Sequence, residues 1–112
     1  MVLLLFKTQR RADIDHEEYH KAAARMYELA SKMPGFISIK GYTADDGESL
    51  SIVKFESEKA MEAWRTHPEH LAVQRRAREV FYESYWAQAF TSAREYEWSR
   101  AGGDQGPSRR SA

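Results

Sequence analysis

Residues 2–6 read Val-Leu-Leu-Leu-Phe, five large apolar side chains in succession. The run is short and free of Gly and Pro, which predicts a strand over 2–8. Side chains of a strand alternate between its two faces, so Val2, Leu4 and Phe6 point one way and Leu3 and Leu5 the other. The segment SLSIVKF (49–55) repeats the pattern, with Leu50 and Ile52 on one parity and Val53 and Phe55 on the other. A sheet wetted on one face alternates apolar with polar residues. These strands do not, and each large side chain left in water forfeits about 1.5–3 kcal/mol. Such a surface would also exceed the apolar patch that soluble monomers carry. Both faces of the sheet therefore need cover, and a second copy of the chain can supply one of them. The expectation is a homodimer; the alternative is a monomer whose long last strand curls over its own sheet.

The segment DIDHEEYHKAAARMYELASKM reads as a helix, with Asp13 or Asp15 as its cap. Tyr19, Ala22, Ala23, Met26, Leu29, Ala30 and Met33 recur at steps of three or four and give one apolar face. Pro34-Gly35 ends it. Strands FISIKGY (36–42) and SLSIVKF flank TADDGE, whose Asp-Asp-Gly signals a hairpin. Ser57 caps a second helix and Pro68 opens a third stretch, PEHLAVQRRAREVFY. The last strand is expected over 83–98, with Trp86, Phe90, Tyr96 and Trp98 on one parity. The order strand, helix, strand, strand, broken helix, strand is the split βαβ arrangement of a ferredoxin-like α+β sandwich with a four-stranded antiparallel sheet. It forms one domain over 1–98. Residues 99–112, rich in Gly, Ser and Arg, read as a disordered tail.

Seventeen basic side chains balance seventeen acidic ones. That balance argues against nucleic acid as a partner, which needs an excess of Lys and Arg, and against a polybasic membrane anchor. Cysteine is absent, which removes disulfides, thiolate nucleophiles and Cys-based metal sites. The apolar start is too short for a signal peptide or a membrane span, so a cytoplasmic location is expected. No Gly-rich nucleotide loop and no metal-ligand set is visible; His67 and His70, or His16 and His20, lack the further ligands a metal needs.

Three elements resemble the antibiotic biosynthesis monooxygenase (ABM) domain family: Pro34-Gly35-Phe36 entering the second strand, FESEKAMEAW, and HPEHLAVQRR followed by an aromatic strand. The resemblance covers residues 2–98. It implies a dimeric α+β barrel with a pocket in each subunit between sheet and helices. Its haem-degrading members carry an asparagine on the first strand and a histidine ten residues past the tryptophan. This chain has no asparagine, and the residue ten past Trp64 is Gln74, so no haem and no other cofactor is expected.

His70, Gln74, Ala77 and Phe81 fall on one helical stripe whose apolar members turn it inward. Buried polar groups need partners, and a substrate in a pocket would supply them to His70 and Gln74. The structural alternative is a His70 bonded to a backbone carbonyl or a Tyr hydroxyl. The resemblance gives Trp64 the role of a wall stacked on a flat substrate. Tyr82, Tyr85 and Trp86, at the start of the last strand, have OH and N–H groups able to orient a phenolic or quinonoid ring. His67, ahead of Pro68, suits a helix cap, and Arg75, Arg76 and Arg78 suit a solvated face paired with Glu79 and Glu69. The assignment is His70 as base with Gln74 and Tyr85 as donors, and Trp64, His67, Phe81, Tyr82 and Trp86 around a small aromatic substrate. The expected activity is cofactor-independent monooxygenation of a phenol, quinol or anthrone-like compound. The competing reading is a non-catalytic dimer that binds a small molecule or haem.

Overall fold

The structure, a computed structural model, describes residues 1–104. It runs β1 (Val2–Arg10), α1 (His16–Ser31), β2 (Phe36–Thr43), β3 (Ser49–Phe55), α2 (Glu58–Arg65), α3 (Pro68–Val80) and β4 (Tyr82–Thr91), with a two-residue ribbon, β5 (Trp98–Ser99) and β6 (Gly103–Asp104). The four long strands form one antiparallel sheet in the order β2-β3-β1-β4. This is the α+β split βαβ architecture, with β3 inserted between β2 and β1.

The local signals act as their chemistry dictates. Asp15 caps α1, its carboxylate accepting from the Glu18 N–H at 3.0 Å. Asp13 instead pairs with Arg11. Ser57 caps α2 by accepting from the Ala60 N–H at 3.1 Å. Gly47 turns the β2–β3 hairpin at φ +89°, a left-handed conformation that glycine adopts without steric cost.

Cross-strand partners share a face, so the registers sort the sheet. Val2, Leu4, Phe6 and Thr8 face the helices together with Val53 and Phe55, and with Ala87 and Ala89. Leu29, Ala30, Met61 and Trp64 close over Val2, Val53 and Phe55 to make the core, with Leu4, Met26, Phe36 and Ile39 packed around it. The other face carries Leu3, Leu5, Leu50, Ile52, Trp86 and Phe90, and no helix among the described residues covers it. Trp86 and Phe90 are 38% and 45% exposed there.

Two expectations are corrected. The last strand stops at Thr91 instead of reaching Trp98: among the described residues it pairs with β1 alone, and that ladder ends with Val2 opposite Thr91. The Ser92 N–H makes the final bond, to the Met1 carbonyl at 3.0 Å. The ion pairs of α3 reach across to α1: Arg76 holds Glu18, and Glu69 is held by Arg25, which also takes Glu28. Of the expected tail, residues 99–104 include the ribbon strands that follow Trp98. Residues 105–112 lie outside the described residues.

Candidate active site

α2 and α3 meet at His67, whose Nδ1 accepts from the Glu69 N–H at 3.1 Å and caps α3. Pro68 takes the first helical position, where no N–H is needed. The corner turns α3 back so that His70 meets Trp64 of α2. Their ring centroids lie 4.4 Å apart at 66°. Trp64 is 4% exposed and His70 8%. One face of the Trp64 indole stacks on Phe55, 5.6 Å away at 28°, so that face is already filled.

Both side chains hold a polar atom that the protein leaves unsatisfied. Trp64 Nε1 and His70 Nδ1 are buried without a hydrogen-bond partner among the described residues. Burial pushes the His70 pKa down from the ordinary histidine value, and Arg65 and His67 push it down electrostatically. A hydrogen bond to the Arg65 backbone works in the opposite direction. In the tautomer protonated at Nε2, that nitrogen is the donor. The neutral ring then keeps its lone pair on Nδ1. Side by side, Trp64 offers a donor and His70 an acceptor.

The remaining aromatic candidates gather elsewhere. Phe81, three helical turns beyond His70, is fully buried and meets Tyr19 of α1 edge to face at 5.3 Å. Phe6 lies 6.0 Å from Tyr82 and 5.5 Å from Tyr85, and the two tyrosines are 6.0 Å apart. Tyr82 and Tyr85 share the helix side only because the register steps from Gln9↔Ser84 to Arg10↔Tyr82, leaving Glu83 as a bulge. Burial, with a smaller contribution from Tyr19, pushes the Tyr82 pKa up to about 12, and Arg10 opposes it.

The family model for antibiotic biosynthesis monooxygenases matches residues 2–76. The chain belongs to this family. The uncharacterized protein YqjZ of Bacillus subtilis (strain 168) is 37% identical over 67 residues, 60% of this chain and 59% of YqjZ, so the match spans less than two thirds of that protein. Among solved structures, SnoaB of Streptomyces nogalater, described as a cofactor-independent oxygenase, superposes with a TM-score of 0.71 at 16% identity, covering 84% of this chain and 94% of SnoaB. Rv0793 of Mycobacterium tuberculosis gives 0.73 at 18% identity over 84% and 96% of the two chains. A monooxygenase homologue from Deinococcus radiodurans gives 0.76 at 10% identity over 88% and 99%. At these identities the superpositions speak for the fold.

In this ABM-family chain the eight residues selected from sequence do not form one site. His70 and Trp64 touch, and Gln74 follows one turn later, half-buried. Phe81, Tyr82 and Tyr85 form the second cluster. His67 is a helix cap. Trp86 lies on the opposite face of the sheet, where Lys7 Nζ sits 4.9 Å from its ring centre; Trp86 pairs with Lys7, whose parity is that of Leu3 and Leu5. A groove of about 150 Å³ lies between α2 and the end of β4, floored by Val2, Met61 and Ala89 and rimmed by Arg65. None of the eight lines it. Tyr19, Phe6 and Arg10, absent from the sequence selection, complete the second cluster. Their signal was present: Tyr19 is on the apolar stripe of α1, and Arg10 continues the parity of Phe6 and Thr8. No helix among the described residues is long and apolar enough to cross a membrane.

Proposed function

We propose that this ABM-family protein is a cofactor-independent monooxygenase that oxidises a small electron-rich aromatic, a phenol, quinol or anthrone-like compound, with O2. The observation that carries this reading is that two rings in contact each bury a polar atom without a partner among the described residues, Trp64 Nε1 and His70 Nδ1. A buried polar group without a partner costs about 1–3 kcal/mol. A phenolic hydroxyl is the complementary ligand: it donates to the imidazole nitrogen and accepts from the indole N–H. In this reading Trp64 acts through its N–H as well as its ring, since Phe55 fills one of its faces.

His70 takes the phenolic proton at Nδ1, and the resulting anion delocalises over the ring. The anion passes one electron to O2, and the two radicals join as a C–O bond to give a peroxide. His70 returns its proton to the peroxide, and loss of water together with the hydrogen of the oxygenated carbon leaves a quinone, so the substrate supplies all the electrons. A neutral, water-excluded imidazole suits the first step. Gln74, one turn beyond His70, is the donor assigned to the developing oxyanion; Tyr85, expected from the sequence to share that role, lies in the second cluster. The description of SnoaB as a cofactor-independent oxygenase supports the absence of a cofactor from this scheme. The reading takes the active form to be a cytoplasmic homodimer joined through the uncovered face of the sheet.

Oxygen uptake with a panel of quinols and no added cofactor tests the activity. His70→Ala is expected to lower turnover by about 10²-fold or more, and unchanged turnover would remove the assignment of His70. Ligand or haem binding without oxygen consumption would instead support the non-catalytic binder.

A further inference from the structure

The cluster at the far end of α3 encloses a cation that has no anion. Arg10 ends β1 on the helix side of the sheet and is half-buried. Its guanidinium lies over the Tyr19 ring, 4.7 Å from the centroid. Nearby charges are engaged with one another: Arg11 with Asp13 and the Glu79 carbonyl, Glu18 with Arg76. Arg10 itself enters no ion pair among the described residues. Stacking on an aromatic ring occupies the face of a guanidinium and leaves its in-plane N–H groups free to donate as a fork. Tyr82 is the cross-strand partner of Arg10 and packs with Tyr85 and Phe6, and the bulge at Glu83 is what turns Tyr82 to that side. Bulges that re-aim a side chain cluster at functional positions. Tyr85, 41% exposed, leaves the cluster open to solvent.

We propose that Arg10, with Tyr19, Tyr82, Tyr85 and Phe6, forms a binding subsite for an aryl carboxylate. The ring of the ligand packs on the tyrosines and Phe6, and its carboxylate takes the free edge of the guanidinium. Tyr82, held in its neutral form, adds a hydroxyl donor. Phe81 beside this subsite is eleven residues from His70, roughly 16 Å along α3. The subsite is therefore separate from the Trp64–His70 pair and does not rest on the monooxygenase reading.

The test compares 4-hydroxybenzoate with its methyl ester on the native full chain, by calorimetry and by amide chemical shifts. The acid is expected to bind about tenfold tighter than the ester, with shifts centred on residues 8–11 and 82–85. Arg10→Gln should remove that preference, Arg10→Lys should keep part of it, and His70→Ala should leave it intact. Equal affinities, no binding of the acid, or a preference that survives Arg10→Gln would overturn the proposal. So would loss of acid binding in His70→Ala, which would move the acid to the other centre. Circular dichroism checks the folding of each variant; should Arg10→Gln fail to fold, the acid–ester comparison on the native protein and Arg10→Lys still decide.

Discussion

His70 shows how one side chain couples folding to chemistry. Its imidazole is buried against Trp64, and the same burial lowers its pKa and so favours the neutral ring on which the proposed chemistry rests. The folded pKa lies below the unfolded value near 6.5, so the unfolded chain binds the proton more tightly. Stability from this group is fully present above that unfolded value and is lost as pH falls toward and through the folded one. Between pH 7.5 and pH 5 the native protein should lose more of its urea midpoint than His70→Gln does. Equal losses in the two proteins would mean that His70 is not buried neutral. Sequence placed His70 on an inward stripe correctly because helical periodicity is local. It could not show that Trp64 is its neighbour, since the two rings meet only after the His67–Pro68 corner turns the chain.

At the scale of elements, the loop from α1 to β2 depends on one glycine. Gly35 has φ +85°, and a Cβ there would stand 2.7 Å from the Ala60 Cβ of α2. Gly35→Ala should cost about 2–3 kcal/mol in urea unfolding, from left-handed strain plus crowding against α2. Gly41→Ala is the control: its Cβ would have only the Leu50 carbonyl oxygen nearby, at 4.0 Å, and the change should stay within about 0.5 kcal/mol. The helices, caps and hairpin were legible because Asp15, Ser57, Pro68 and the Asp-Asp-Gly turn act on residues three or four positions away. The end of β4 was not. Tyr96 and Trp98 keep the strand-like parity of Trp86 and Phe90, but a strand lasts only as long as its pairing, and the ladder with β1 ends at Val2 opposite Thr91. The ion pairs of α3 misled for a related reason: Arg76 takes Glu18 and Glu69 takes Arg25, and both pairs bridge α1 and α3.

For the whole molecule, the uncovered sheet face sets the expectation. Leu3, Leu5, Leu50, Ile52, Trp86 and Phe90 share it, interrupted by Lys7 and Lys54. Face-to-face pairing with a second copy buries these side chains, each contributing about 1.5–3 kcal/mol if fully covered. The native protein should sediment as a dimer at micromolar concentration. Leu5→Glu, which plants a charge at the middle of the face, should give a monomer that keeps its far-ultraviolet circular dichroism. A native protein that sediments as a monomer would defeat the dimer.

The sequence by itself determined the fold class, where the second and third helices start and the fact that both faces of the sheet are apolar. Periodicity, capping and turn chemistry are properties of neighbours along the chain, and they need no partner to be read. Tertiary structure alone decided which aromatic residues meet. Ladder register sent Trp86 to one side of the sheet and Tyr85 to the other, and the bulge at Glu83 turned Tyr82 to join Tyr85. Packing of α1 over the end of β1 then set Arg10 against Tyr19. Those contacts depend on strand pairing and helix packing between residues far apart in the chain, where no local preference acts.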